Sequence, residues 1–322
     1  FRSYRWGDYP VRPSGAREDP RPTFPPMTPQ PLYAYPLLTA MMVSMILVQL
    51  HHRTGAPGLA IANRWMRWLI FGFGAAYISV DLELIVRPTP ILVVAFLLLW
   101  FLGETLYNWM AIHALSVSQL PLFPRYTVNQ GGEEWPTQPR YLKVRDWLRG
   151  HGFRPVQSLK AEVGNGFYLR VSVYQDEAAL TRVQVTFLPQ SSGTLTMCYA
   201  VTSRSTDGYR FLTDNLYIPF GGFYPENWLV ERSPWRRALP RLLARHQARV
   251  RRSGATLEPL TTDAVSDLNS EQSQLDRLNT ELGFLHPHQD REELGKITSP
   301  GRYRVWKEIW MLDYFGRAAN YE

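Results

Sequence analysis

Residues 90–115 read PILVVAFLLLWFLGETLYNWMAIHAL, and this stretch decides the fold. Glu104 is its only acidic or basic residue apart from His113. At 1.5 Å per residue, a helix of this length covers the roughly 30 Å of a bilayer's hydrocarbon core. A run so apolar is poorly accommodated in water, so it predicts a transmembrane helix.

Two further stretches precede it. Leu32–Leu50, LYAYPLLTAMMVSMILVQL, has no charge, carries Tyr33 and Tyr35 at one end, and is followed by His51, His52 and Arg53. It predicts a span over 32–52, with aromatic and cationic residues at its two interfaces. Between these, 65–86 has an uncharged centre at 68–80, entered through Arg64, Trp65, Arg67 and Trp68 and left at Asp81 and Glu83. The turn Arg87-Pro88-Thr89-Pro90 joins it to the last span as a hairpin, because a proline pair cannot continue a helix. Three spans over 32–118 are therefore expected.

The chain averages hide this. A mean hydropathy of −0.24 and a hydrophobic fraction of 45% over 322 residues resemble a water-soluble protein, because the apolar residues are concentrated between 32 and 115. The net charge of +7 suits anionic lipid, an acidic partner or nucleic acid, and its sign does not choose among them. The single cysteine, Cys198, excludes an intramolecular disulfide and any metal site built on several thiolates.

Before the spans, 1–31 holds eight prolines and five arginines, a composition that predicts an extended arm. After them, 119–139 reads as a Pro/Gly-rich linker. Residues 140–150 read as a short amphipathic helix. Strands follow over 167–174, 181–188, 195–202 and 209–213, separated by Gly164-Asn165-Gly166, Ser191-Ser192-Gly193 and Asp207-Gly208. Alternating strands joined by short turns predict an antiparallel meander with helix packed on it, so 140–230 is an α+β domain. The region 231–322 is expected to be helical. One helix starts at the Ser233-Pro234 cap and carries eight arginines over 232–252; a second covers 265–285; an aromatic third lies in 301–322.

Orientation follows from the loops. Arg53, Arg64 and Arg67 surround the first turn, while Arg87 stands alone in the second. The positive-inside rule then puts the soluble portion in the cytoplasm, at a bacterial inner membrane. Arg17 and Arg21 in the arm argue the other way.

Several residues are candidates for contact or chemistry. Glu104 and Asn108 share a helix face one turn apart, and an intramembrane carboxylate costs about 2.5–3.5 kcal/mol unless it meets protein or water. A hydrogen bond to a neighbouring helix or subunit is the expected use, a proton relay the alternative. His51 and His52 end the first span and His113 ends the third, at one membrane face; paired imidazoles at that depth hold haem iron or chlorophyll magnesium. Arg236, Arg237, Arg241, Arg245 and Arg249 on the basic helix, with Trp306 and Trp310 on the tail, are candidates for contact with anionic lipid or a partner. Nucleic acid is disfavoured, since no aromatic RNA platform or helix-turn-helix is evident. No phosphate loop, nucleophile elbow, metalloprotease pair or calcium loop occurs.

The expected function is thus a non-catalytic accessory subunit of a larger membrane complex, respiratory or photosynthetic, whose partners are other membrane subunits. A membrane-anchored ligand-binding or sensor module is the first alternative. A haem- or chlorophyll-carrying electron-transfer subunit is the second.

Overall fold

The computed structural model describes residues 34–54, 56–164, 166–189 and 195–319; the proline-rich arm 1–31 and the turn residues Asn165 and 191–193 lie outside these. Helices make up most of the regular structure, joined to a mixed sheet.

Three long helices come first: α1 (Ala34–Thr54), α2 (Pro57–Asp81) and α3 (Thr89–Val117). By length and composition α1 and α3 are each sufficient to cross a membrane, and they are the two such helices among the described residues. Helix α2 has 25 residues, but Arg64 and Arg67 occupy its first half and small or polar residues dilute the rest. The compositional case for three spans is therefore not met; it rests on two helices.

Helix α2 packs between the other two. Gly74 faces Leu37 of α1, and Ser44 of α1 donates to Asn63 of α2 at 2.6 Å. On the other side Gly72 faces Leu97, Trp68 donates to the Leu97 carbonyl at 3.0 Å, and Phe71 meets Trp100. Small residues let helix backbones approach closely, which is how association is achieved where the hydrophobic effect between helices is weak. A Cβ on Gly72 would lie 2.5 Å from a Leu97 methyl. These pairings make α1 and α3 run the same way and α2 the opposite way.

The sheet follows. Its strands are β1 (Tyr126–Val128), β2 (Phe153–Glu162), β3 (Tyr168–Asp176), β4 (Arg182–Pro189), β5 (Leu195–Ser205), β6 (Arg210–Asp214), β7 (Trp228–Arg232) and β8 (Leu257–Glu258). They lie in the order β1 to β7, with β8 paired to the end of β5. Pairing from β1 to β6 is an antiparallel meander, as the alternating runs predict. Strand β7 departs from it and pairs parallel to β6, Arg210 opposite Trp228, so the sheet is mixed. The aromatic loop between them carries the chain back to the start of β6 before β7 begins.

Both faces of the sheet are covered. On one side Tyr174, Val183, Val185, Phe187, Tyr199 and Val201 pack on α4 (Pro139–Gly150) and α5 (Leu239–Ser253). On the other, Leu159, Val171 and Val173 pack on Ala264 and Leu268 of α6 (Ala264–Glu281). Val173 and Tyr174 point to opposite faces, yet each is 0% exposed. The remaining elements are a 3₁₀ turn at His288–Asp290, α7 (Arg291–Leu294) and α8 (Ser299–Phe315).

Several boundaries differ from the sequence reading. The stretch 119–139 contributes β1, which pairs with β2 and is pinned to α6 because Asn269 bonds both the amide and the carbonyl of Tyr126. The basic helix does not start at Ser233-Pro234: the Ser233 amide donates to Asp214 at 2.7 Å, prolonging the strand, and Pro240 supplies the first-turn proline. Helix α6 stops at Glu281, and Leu285 instead pairs as an isolated bridge with Ile297.

Candidate functional site

The junction between the first three helices and the rest of the chain concentrates the polar residues that the sequence singled out. Glu104 on α3 accepts from Arg64 of α2 at 3.0 Å and from the Trp100 indole at 3.1 Å. Tyr314 of α8 donates to Oε2, the oxygen that Trp100 also reaches, while Arg64 is on Oε1 and bonds Asp313 of α8 as well. One carboxylate thereby joins three helices, and its partners come from within the chain. Asn108, one turn on, is buried, and its amide nitrogen has no hydrogen-bond partner among the described residues.

Aromatic stacking surrounds these ion pairs. Trp310 lies flat on Tyr314 with ring centres 4.4 Å apart and meets Phe101 of α3 at 5.1 Å; Trp306 packs against Trp310 at 6.2 Å. Trp65 of α2 meets Tyr314 edge-on and donates to its carbonyl at 3.0 Å. The aromatic tail thus docks on the chain's own helices. Further along α3, Ile112 enters an apolar core with Phe284, Leu285, Ile297 and Val305. The Ser116 hydroxyl accepts the Ile297 amide at 2.9 Å, and Lys296 caps the carbonyls of Ser118 and Leu120. This continuous core replaces the flexible tether that 119–139 suggests.

The aromatic loop between β6 and β7 threads through the same region. Gly221 has φ +68°, and a Cβ there would meet the α8 backbone at Val305 within 2.8 Å. Only glycine combines that conformation with so close an approach. The Asn279 side chain, 0% exposed, holds the loop by bonding both the amide and the carbonyl of Phe223.

The arginines of the basic segment divide into two groups. Arg245 and Arg249 turn inward to Glu231 at 2.7 and 3.0 Å, and Arg249 also donates to Leu212, Thr213 and Leu229. Arg237 reaches α1, donating to the Thr54 carbonyl at 2.8 Å, and Arg236 is half-buried. Arg241 is exposed on α5. Arginines that read as a lipid-facing stripe therefore hold the fold together in part.

His51 and His52 lie side by side with ring centres 6.1 Å apart and line a cavity of about 670 Å³ between the α1–α2 turn and the sheet. His113 is exposed on α3 and is not part of that lining. The contacts do not bring it to the other two, and no group of three or more metal-binding side chains occurs among the described residues.

Two buried polar clusters had no signal in the sequence, because their members come from distant segments. Asp267 of α6, itself buried, pairs with Arg182 at 2.6 Å and Arg210 at 2.7 Å, and Arg210 also meets Glu271 at 2.8 Å. Burial raises the Glu271 carboxyl to about 7 despite the arginine beside it. On the opposite face His246 of α5 lies 3.0 Å from both Ser203 and Thr213. Burial, reinforced by the charge of Arg249, lowers His246 to about 4, so the ring is neutral. Arg249 also donates to Thr213, so the neutral ring sits between two hydroxyls, one of which an arginine holds. The Ser–His spacing resembles a nucleophile and its base. Ser203 and His246 are 0% and 1% exposed, however, so no substrate reaches them, and the pair is structural.

Compared with family models, curated proteins and solved structures, the chain matches none.

Proposed function

We propose that the chain is a non-catalytic subunit of a larger membrane complex, fixing a soluble α+β domain rigidly to helices inserted in the bilayer. The single observation that carries this reading is the shared junction: Arg64, Glu104, Asp313 and Tyr314 with the Ile112 core join α2, α3 and α8 into one body. A tether built for a mobile catalytic or sensing domain has no need of such a joint. The outer faces of the first helices supply the contact surface. Leu38, Met42, Met45 and Ile46 of α1 and Leu98, Leu102 and Leu106 of α3 are exposed, a large apolar area that lipid or neighbouring helices would cover.

In this reading α2 crosses with its neighbours despite its two arginines. Helices α1 and α3 run parallel, so a chain that crosses in both must return between them, and α2 is that return. Its arginines lie near the soluble domain, where Glu104 and Asp313 neutralise Arg64. The clustering of Arg53, Arg64 and Arg67 at that end supports a cytoplasmic soluble domain in a bacterial membrane. Respiratory and photosynthetic assemblies are the settings in which such scaffolding subunits belong.

Purification from native membranes in mild detergent tests the proposal, with mass spectrometry of whatever accompanies the chain. A stable stoichiometric partner set is expected; a bare monomer under several mild detergents would overturn it. A membrane-anchored ligand-binding module is the second reading, favoured by the cavity beside His51 and His52.

A further inference from the structure

The cavity at the α1–α2 turn has an unusual charge pattern. Its cationic groups are Arg53 at the end of α1, Arg140 on α4 and Arg237 before α5, with His51 and His52 beside them. Among the described residues no Asp or Glu lines it. Arg182 and Arg210, which are buried, are matched by Asp267 and Glu271, whereas Arg53, Arg140 and Arg237 are exposed at the cavity wall. Here Arg140 stacks on and bonds Tyr141, and Arg237 donates to a backbone carbonyl. Neither contact neutralises a charge. Three arginines lining one concavity make its wall basic, and such a wall attracts an anion.

The rest of the wall says what kind of anion. Leu188, Leu195, Met197 and Ile218 give the cavity an apolar side. Cys198 also lines it, and burial pushes its thiol up to about 12, so it stays protonated and uncharged. An arginine fork beside an apolar wall suits a phosphate that carries hydrocarbon. Position points the same way. One wall is the last turn of α1 and the first turn of α2, through Pro57 and Ala60. His51, His52 and Arg53, which follow the uncharged run of α1, stand in the same wall, and such residues mark the level at which a span leaves the hydrocarbon for the headgroup layer. The cavity therefore opens at the depth of lipid headgroups.

We propose that this cavity binds the headgroup of an anionic phospholipid drawn from the adjoining leaflet, with Arg53, Arg140 and Arg237 as its phosphate ligands. This names the ligand class for the cavity and rests on the reading that α1–α3 lie in a bilayer. The bound lipid bridges α1, α4 and the segment before α5, beside the α8 joint, where Tyr217 of the cavity wall donates to the Leu312 carbonyl at 2.7 Å.

The test uses the full chain, purified in detergent and stripped of lipid, then titrated separately with phosphatidylglycerol, phosphatidylcholine and inorganic phosphate. Thermal unfolding and native mass spectrometry read the outcome. Phosphatidylglycerol is expected to raise the midpoint and remain bound, while the other two do neither. Arg140→Gln should weaken its binding about fivefold and the Arg53→Gln/Arg140→Gln pair about twenty-five-fold, from roughly one interaction per arginine. Arg241→Gln, on the exposed face of α5 outside the cavity, should leave it unchanged. Equal stabilisation by phosphatidylcholine, equal stabilisation by phosphate, or an effect of Arg241→Gln as large as that of the pair would each overturn the proposal. The wild-type headgroup comparison stands even if a variant fails to fold. A chain that stays dissolved without detergent would overturn the membrane reading as well; one that needs detergent but ignores headgroup charge would overturn this inference alone.

Discussion

Arg64 of α2 pairs with Glu104 of α3 at 3.0 Å while also bonding Asp313 of α8, so a single guanidinium serves two carboxylates on two different helices. The arrangement explains how a charged residue is tolerated in the most apolar helix of the chain. Glu104 and Asp313 would repel each other at this distance; Arg64 between them makes the pair of acids a reason for α8 to dock.

Removing that cation should therefore open the joint. Arg64→Met leaves two partly buried carboxylates facing each other and is expected to cost about 1–3 kcal/mol, less than a fully buried pair because Arg64 is 35% exposed. Thermal unfolding in detergent gives the size, and limited proteolysis after α8 reports whether the tail has come free. Glu104→Gln combined with Arg64→Met should recover part of the loss, since fewer unpaired charges remain. Full additivity of the two changes would count against the shared site.

A side chain at Gly72 should displace Leu97 from its place between α2 and α3. A Cβ there meets Leu97 at 2.5 Å, so Gly72→Val is expected to force α2 and α3 apart and cost about 1–3 kcal/mol. Gly103→Ala is the matched control, as nothing lies within 4 Å of the position its Cβ would take. Both substitutions raise helix propensity, so similar losses at both sites would mean that close packing at Gly72 does not govern the effect.

Acid should weaken the soluble domain through His246. Its pKa is depressed in the folded state, to about 4 from 6.5, so below pH 6.5 the unfolded chain binds a proton that the native chain refuses. Stability from this group is complete above pH 6.5 and falls as the pH drops toward 4, by at most about 3 kcal/mol. Urea midpoints at pH 7 and pH 5 measure the fall. His246→Gln should flatten that part of the profile while lowering stability at both values.

The Asp267 cluster should be the most sensitive polar site in the sheet. Asp267→Asn deprives Arg182 and Arg210, both nearly buried, of their shared counter-charge and is expected to cost about 3–5 kcal/mol. Exchange of the amides in β4 and β6 should rise with it. Retention of wild-type stability would mean that Glu271 alone suffices to hold the two arginines.

Much of this molecule was legible from its residues. The apolar runs read at 32–52 and 90–115 and the period-two alternation in β3 and β4 depend on local composition, which a sequence displays directly. The misreadings have one origin. Ser233-Pro234 has the chemistry of a helix cap, but the Ser233 amide is already engaged by Asp214 from a strand nineteen residues earlier. The stretch 119–139 lacks strand character, yet Tyr126 is held in the sheet by Asn269, 143 residues away. Likewise the parallel entry of β7 depends on where α6 and α8 fix the aromatic loop, through Asn279 and the backbone beside Gly221.

Sequence alone determined which segments are the most apolar and which alternate like strands, because burial preference is a property of each residue and its near neighbours. The tertiary structure decided what the polar residues are for. Glu104 meets Arg64 and Tyr314, the inner arginines of α5 meet Glu231, and His246 meets Ser203, all across distances in the chain that no local pattern encodes. Charge and hydrogen-bond pairing depends on separations of a few ångströms in space, and only the folded chain fixes those.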